Sequence, residues 1–544
     1  MKVVMCQEGI KMPIIEQHEI ERALLNIESH SDTDVFPRGS ELDLIYGASA
    51  NKNALVEVIS EIVENVNLFS KALNDSPPVN QSSIYPSGFN GYRWVTKIDP
   101  LWNAVYVSLS ISLAKKAEAA RISLSQEMVF SHRFNDDKNS KDLFTPGGWG
   151  KFIDRSKSKA EESKYVLIID IADFYSRIYL HRLENEIERV SPSSGVSKMI
   201  NDLISNFNSS RSFGIPIGGP ASRIMSEILL NSADKFMQRH LKIDFVRYAD
   251  DYRIFLDSVD EANHITAKLS QFFFENEGLS LQKHKTRIIT SSEYLASIDY
   301  SNSDQGSSQH FLGVSLYFDP YNPNAEEDYE TLRNALEDFD VVDLLNAELS
   351  KGKADLAVVS KIARSLHAMP AAVKVQACRT MIENTHKLYP VLPKILRAIW
   401  SATRSACESG DTKSASELIE VVRDSVLEDR YIYESEISVA FACKIVGAVS
   451  SADNEELLGR IYGLSFGAAN EPSTIVQTEI MSIMAKWKVS YWILAKKPNF
   501  GALHPRVQEE FYRATYSLGD EGKHWRQHND SRFDRYRKPF VKRV

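Results

Sequence analysis

Two adjacent aspartates, Asp250 and Asp251, lie between Phe245-Val246-Arg247-Tyr248-Ala249 and Tyr252-Arg253-Ile254-Phe255. The flanking runs are rich in aromatic and β-branched residues, a pattern that predicts strand, tight turn, strand. Neighbouring like charges repel, and a divalent cation shared between them reverses that penalty. An Asp-Asp turn that merely caps its own backbone is the plain alternative. A second acid upstream argues against it. Tyr165-Val166-Leu167-Ile168-Ile169-Asp170 is an almost wholly apolar run ending in a carboxylate, which predicts a buried central strand with an acid at its end. Three carboxylates on two neighbouring strands (Asp170, Asp250 and Asp251) can hold two hard cations about 3.5–4 Å apart, the arrangement for in-line phosphoryl transfer.

With these residues in place, five segments resemble the ordered motifs of reverse transcriptases. Asp170-Ile171-x-Asp173-Phe174-Tyr175 resembles motif A, Gly214-Ile215-Pro216-Ile217-Gly218-Gly219-Pro220-Ala221-Ser222 motif B, and Tyr248-Ala249-Asp250-Asp251 motif C. Leu279-x-Leu281-x-x-x-Lys285-Thr286 is similar to motif D and Phe311-Leu312-Gly313-Val314 to motif E. The resemblance covers about residues 95–320. It implies two Mg²⁺ ions, with Mn²⁺ as an alternative, at Asp170, Asp250 and Asp251, with Ile171 beside them. It places Tyr175 under the sugar, where a bulky ring excludes a 2′-hydroxyl and selects dNTPs. Asp173 is expected near the triphosphate and Lys285 is a candidate proton donor to pyrophosphate. Ile217 and Gly218 are expected in the floor beneath the nucleotide. Many family members carry glutamine where Ile217 stands; isoleucine cannot donate or accept a hydrogen bond, which argues against ordinary template copying.

The elements that must position these residues follow from periodicity. Residues 1–90 read as a helical N-terminal extension, with apolar residues at helical spacing over Ile15–Leu25 and Leu55–Leu73. Residues 91–320 read as fingers and palm. Leu101–Ile122 predicts a long helix and Met128–Phe134 a strand bearing Arg133. Arg133 is the candidate triphosphate contact, with Arg121 second, because guanidinium suits phosphate; a surface arginine is the alternative. Thr145–Lys151 lacks the GxxxxGK[ST] pattern and reads as a turn with a packed Trp149, and Asp154–Lys164 as a charged loop. Pro320–Asp328 reads as a linker. From 330 to 520 successive segments carry apolar stripes, which predicts an all-α, HEAT-like array, an irregular bundle being the alternative. The expected class is therefore α+β: a reverse-transcriptase palm and fingers followed by an α-helical domain. Residues 521–544 form a basic tail with interleaved aromatics, suited to single-stranded nucleic acid, a solvated or subunit-docking tail being the alternative.

Length and composition set the bounds. The chain has 544 residues and a formal net charge of −9, enough for two or three domains and too acidic for a nucleic-acid binder without a local basic surface. The four cysteines (Cys6, Cys378, Cys407 and Cys443) form no CxxC pair, which excludes the usual structural zinc pattern and suits a reducing cytoplasm. No apolar run reaches spanning length, so no membrane association is expected. The palm joined to a long helical array is similar to the abortive-infection and defence-associated bacterial reverse transcriptases. That resemblance implies phage defence, untemplated single-stranded DNA synthesis primed on a tyrosine hydroxyl, and a homo-oligomer. The alternatives are a template-copying enzyme working with a noncoding RNA, and a catalytically inert nucleic-acid-binding scaffold.

Overall fold

A computed structural model describes residues 14–42, 49–89, 91–299, 339–466 and 471–542. The expected linker at 320–328 and the motif-E resemblance at 311–314 lie outside the described residues.

The palm is a four-stranded antiparallel sheet in the order β4-β5-β3-β6, built from β3 (Tyr165–Asp170), β4 (Asp244–Tyr248), β5 (Asp251–Leu256) and β6 (Arg287–Thr290). The apolar run of β3 is buried from Val166 to Asp170 because strands flank it on both edges and helices cover its faces. Ahead of it, β1 (Gln81–Pro86) and β2 (Tyr92–Lys97) pair as an antiparallel hairpin. The hairpin runs across residue 90, where the sequence pattern placed the end of a helical extension.

Four helices frame the sheet: α1 (Gln17–His30), α2 (Pro100–Ala120), α3 (Gly148–Glu161) and α4 (Pro220–Lys235). Helix α2 starts where Asp99 accepts from the Leu101 amide, with Pro100 in its first turn. It is apolar on nearly every side because α1 packs on one face and α4 on another.

Two local expectations are corrected. The charged segment Asp154–Lys164 is mostly the helix α3, not a loop. Phe152, Ser156 and Ala160 recur every four residues and are buried, so the charges face solvent. The segment Met128–Phe134 is not a strand. Val129 bridges Arg247 and Phe134 bridges Phe144, but His132 takes a left-handed φ of 44°, which interrupts extension.

Beyond residue 339 every described element is helical. Helices α5 (Leu356–Ser365) and α6 (Leu392–Glu408) lie toward the start of the array, and α6 packs on Glu436–Val446, which packs on Thr474–Lys486, which packs on Pro505–Ala514. This serial packing buries one continuous core, into which Phe36 of the N-terminal segment and Val95 of β2 also insert. Buried ion pairs join the same parts, with Glu41 3.2 Å from Lys97 and 3.5 Å from Arg506.

The basic tail docks rather than extends. Trp525 is buried against Phe500 and Phe511, with ring centres 4.9 and 5.1 Å away. Arg537 pairs with Asp99 at 2.8 Å and Glu509 at 2.7 Å, and Tyr536 and Phe540 enter the core of the polymerase half. This packing is within the chain itself, an arrangement that neither the nucleic-acid reading nor the solvated or subunit-docking reading of the tail describes. No helix among the described residues is long and apolar enough to cross a membrane.

Candidate active site

The register of the sheet gathers the acids. Asp170, the last residue of β3, stands directly opposite Asp251, the first residue of β5. Asp250 sits in the turn between β4 and β5, which Ala249 closes with a left-handed φ of 53°. Burial first, and then the charges of Asp251 and Asp170, push the Asp250 carboxyl up to about 6 against the backbone hydrogen bond that lowers it. Asp251 is raised too, by burial and then Asp170, with Arg253 and Lys285 opposing. The Lys285 ammonium lies 3.0 Å from Asp170 Oδ1.

Among the described residues no three His, Cys, Asp or Glu side chains stand in ready metal-binding geometry. The acids nonetheless fit a divalent cation. Three carboxylates of one sign are gathered together, burial and then the other two raise Asp250 above the usual carboxylate range, and a lysine already takes the place of a counter-cation on Asp170. Ile171 is buried and its side chain is a hydrocarbon, so its backbone carbonyl is the only group it can offer a cation.

Motif B meets motif A through the backbone. The Ile215 amide donates to the Tyr175 carbonyl at 2.9 Å. The Tyr175 ring is half-buried beside Phe174, and burial pushes its phenol up to about 12, so it stays protonated. Tyr175, Ile217, Gly218, Tyr248 and Ala249 line one side of a cavity of about 920 Å³. Gly218 has a φ of +104°, and a Cβ there would fall 2.6 Å from Thr33 Oγ1 and 2.7 Å from Asp34 Oδ1. Only glycine lets the N-terminal segment lie against this loop. Asp173 is exposed at the start of the short Phe174–Arg177 turn, with a left-handed φ of 49°.

Arg247 fixes the motif-C turn against α4. Fully buried, it donates to both Asp234 oxygens at 2.8 and 2.6 Å, to Glu227 at 2.9 Å and to the Ala249 carbonyl at 2.9 Å. Burial pulls its pKa down, but Asp234 and then Glu227 more than reverse this and hold it well above the ordinary value. The residue three places before Asp250 therefore ties the turn to the helix of motif B.

The two arginines expected at the triphosphate are committed elsewhere. Arg133 is buried and donates to the carbonyls of Val129 and Ile122 at 2.9 and 2.8 Å and to Glu118 at 2.8 Å. Arg121 donates to Glu227 at 2.7 Å and the Ser131 carbonyl at 2.8 Å. Both stitch an irregular segment whose carbonyls no strand satisfies. Sequence reasoning overlooked Arg93. It lies on β2 opposite Tyr85, and both line the cavity, while Tyr92 and Trp94 point outward. The signal available was a lone arginine within an alternating run just after Gly88 and Gly91, a hairpin pattern.

Comparison with known proteins agrees with this geometry. Residues 108–316 match the family model described as reverse transcriptase (RNA-dependent DNA polymerase). This segment is a reverse transcriptase domain. It carries all three acids, Tyr175, the motif-B loop and Lys285, and its family supports RNA-directed DNA polymerase activity. No curated protein sequence matches the chain. Among solved structures, telomerase from Candida albicans, in complex with a TWJ fragment of telomeric RNA, aligns at a TM-score of 0.30 and 11% identity, covering 70% of this chain and 69% of that one. Apo telomerase from Candida tropicalis aligns at 0.32 and 10%, covering 78% and 73%. In this chain the reverse transcriptase domain is joined to a helical C-terminal region.

Proposed function

We propose that this chain polymerises dNTPs into single-stranded DNA as part of antiphage defence, without copying a template and starting on a protein hydroxyl. It works as a cytoplasmic homo-oligomer. The observation that carries the polymerase reading is the β3–β5 register, which sets Asp170 opposite Asp251 and Asp250 in the adjoining turn, beside the cavity floored by Tyr175. Bound at these acids and the Ile171 carbonyl, two Mg²⁺ ions would neutralise charge on the attacking hydroxyl and on the leaving pyrophosphate. Tyr175 and Gly218 shape the sugar and nucleotide floor. Arg93 lines the same cavity and is assigned to the triphosphate in place of Arg133. Asp173 orients at the triphosphate edge. Lys285 gives a proton to pyrophosphate in this reading, which its 3.0 Å contact with Asp170 beside the site supports. The untemplated reading rests on Ile217, an apolar side chain in that floor, and on the sequence resemblance to defence-associated enzymes.

The test is a template-free assay with nuclease-treated protein, Mg²⁺ and each labelled dNTP, resolved on a denaturing gel before and after protease. Label that migrates with protein until proteolysis is the expected result. Product that appears only with added RNA and copies its sequence turns the reading to templated synthesis with a noncoding RNA. No product under either condition would leave an inert nucleic-acid-binding scaffold.

A second expectation concerns the sugar. Trimming Tyr175→Val removes the ring that would meet a 2′-hydroxyl, so ribonucleotide discrimination falls by about 10- to 200-fold in kcat/KM ratio. Discrimination that stays unchanged assigns Tyr175 to packing alone.

A further inference from the structure

The wall of the cavity that faces the reverse transcriptase domain belongs to the helical array. Lys361 and Arg364 project from α5, one turn apart, and Lys394 from α6; all three line the cavity that also touches Tyr175 and Ala249. A second cavity of about 610 Å³ shares Arg364 and Lys394 with the first and continues along α6 to Arg397. The two cavities form one groove leading away from the catalytic turn.

The charge of this groove is lopsided. Counting Arg93 and Arg223, the described residues lining it supply six lysines and arginines against one carboxylate, Asp34. Asp34 is already paired with Arg223 at 2.8 Å. Among the described residues Arg364 and Lys394 have no ion-pair partner. Burial and then Arg364 push the Lys361 ammonium down to about 8, and burial, Arg364 and Arg93 lower Lys394. Cations that depress one another in a chain of net charge −9 have been gathered against their own repulsion. Such a cluster is complementary to a polyanion.

We infer that α5 and α6 bind the sugar-phosphate backbone of a single strand occupying the catalytic cleft, with Arg364 and Lys394 as the principal phosphate contacts. The inference rests on the polymerase reading above and extends it: the helical array is part of the nucleic-acid site. A strand is favoured over the triphosphate of one nucleotide because the cations do not converge on one point. They run from Lys361, beside the Tyr175 end, through Arg364 and Lys394 to Arg397 in the second cavity. Tyr85 lines both cavities and offers a ring for a base to stack on along that path.

The test is binding of a labelled 20-mer of deoxythymidylate to the full chain, measured without Mg²⁺ by fluorescence anisotropy over a range of salt. Each phosphate contact on a single strand contributes about 0.7 to the slope of log affinity against log salt. The variant R364Q/K394Q is expected to lose about 1.4 from that slope and to bind several-fold more weakly at low salt, while R364K/K394R keeps the slope. Thermal melting of each variant verifies the fold. An unchanged slope in a folded R364Q/K394Q protein overturns the inference. So does a normal slope coupled with a raised KM for dNTP, which would assign these cations to the nucleotide triphosphate. Because binding is read without catalysis, failure of the polymerase reading would show as absent synthesis with the salt slope intact.

Discussion

Asp250→Asn abolishes nucleotide incorporation, by about 10³-fold or more, and at the same time makes the metal-free protein more stable. The two effects have one origin. Asp250 is placed where burial and the charges of Asp251 and Asp170 raise its pKa to about 6. Its folded value lies above its unfolded one, so the stability it contributes is complete at low pH and is lost as pH rises through 6. At neutral pH the ionised carboxylate therefore costs up to about 3 kcal/mol, which a neutral amide removes. Charge neutralisation during phosphoryl transfer is worth several kcal/mol, and each 1.36 kcal/mol is about tenfold in rate. The measurement is a pair of melting curves and an incorporation assay. Wild-type protein should gain stability on addition of Mg²⁺, as any ligand of the native state confers. The variant should melt higher without Mg²⁺ and gain little with it. A variant that still polymerises removes Asp250 from the site.

Removing the guanidinium three residues away acts through the fold instead. Arg247→Leu leaves Asp234 and Glu227 buried with half of their counter-charge gone, since Arg121 still reaches Glu227 but no other described residue donates to the oxygens of Asp234. Breaking a buried pair by removing one partner costs about 3–5 kcal/mol. It also frees the Ala249 carbonyl and with it the turn that carries Asp250. The expected outcome is a sharply lower denaturation midpoint together with loss of activity. Arg247→Leu/Asp234→Leu, which removes both charges, should recover part of the stability without recovering activity. A double variant no more stable than the single one would show that the Asp234 pair is not the source of the cost.

The acid triad was legible in the sequence because its signals are local. An apolar run ending in Asp170 becomes a central strand, and a strand-turn-strand pattern around Asp250-Asp251 becomes a hairpin; each follows from a few residues of periodicity. The amphipathic stripes after residue 339 were legible for the same reason, since each helix needs only its own apolar face to be recognised. Arg133 was not, because a buried arginine that satisfies the carbonyls of Val129 and Ile122 looks, in sequence, the same as one that faces solvent. The charged letters of α3 hid three buried positions spaced by one helical turn.

The sequence by itself determined the palm strands that carry the candidate acids and the apolar stripes of the C-terminal helices, but not the β1–β2 hairpin, the helix α3 or the irregular course of Met128–Phe134. Only the tertiary structure decided who their neighbours are. It turned Arg247 from a strand residue into the anchor of the motif-C turn and folded the basic tail onto Asp99 and Glu509. It also brought Arg93, Lys361, Arg364 and Lys394, separated by up to three hundred residues, to one groove. Contacts of that kind are set by packing between distant elements, and the local pattern of a chain carries no record of which distant element its side chains will meet.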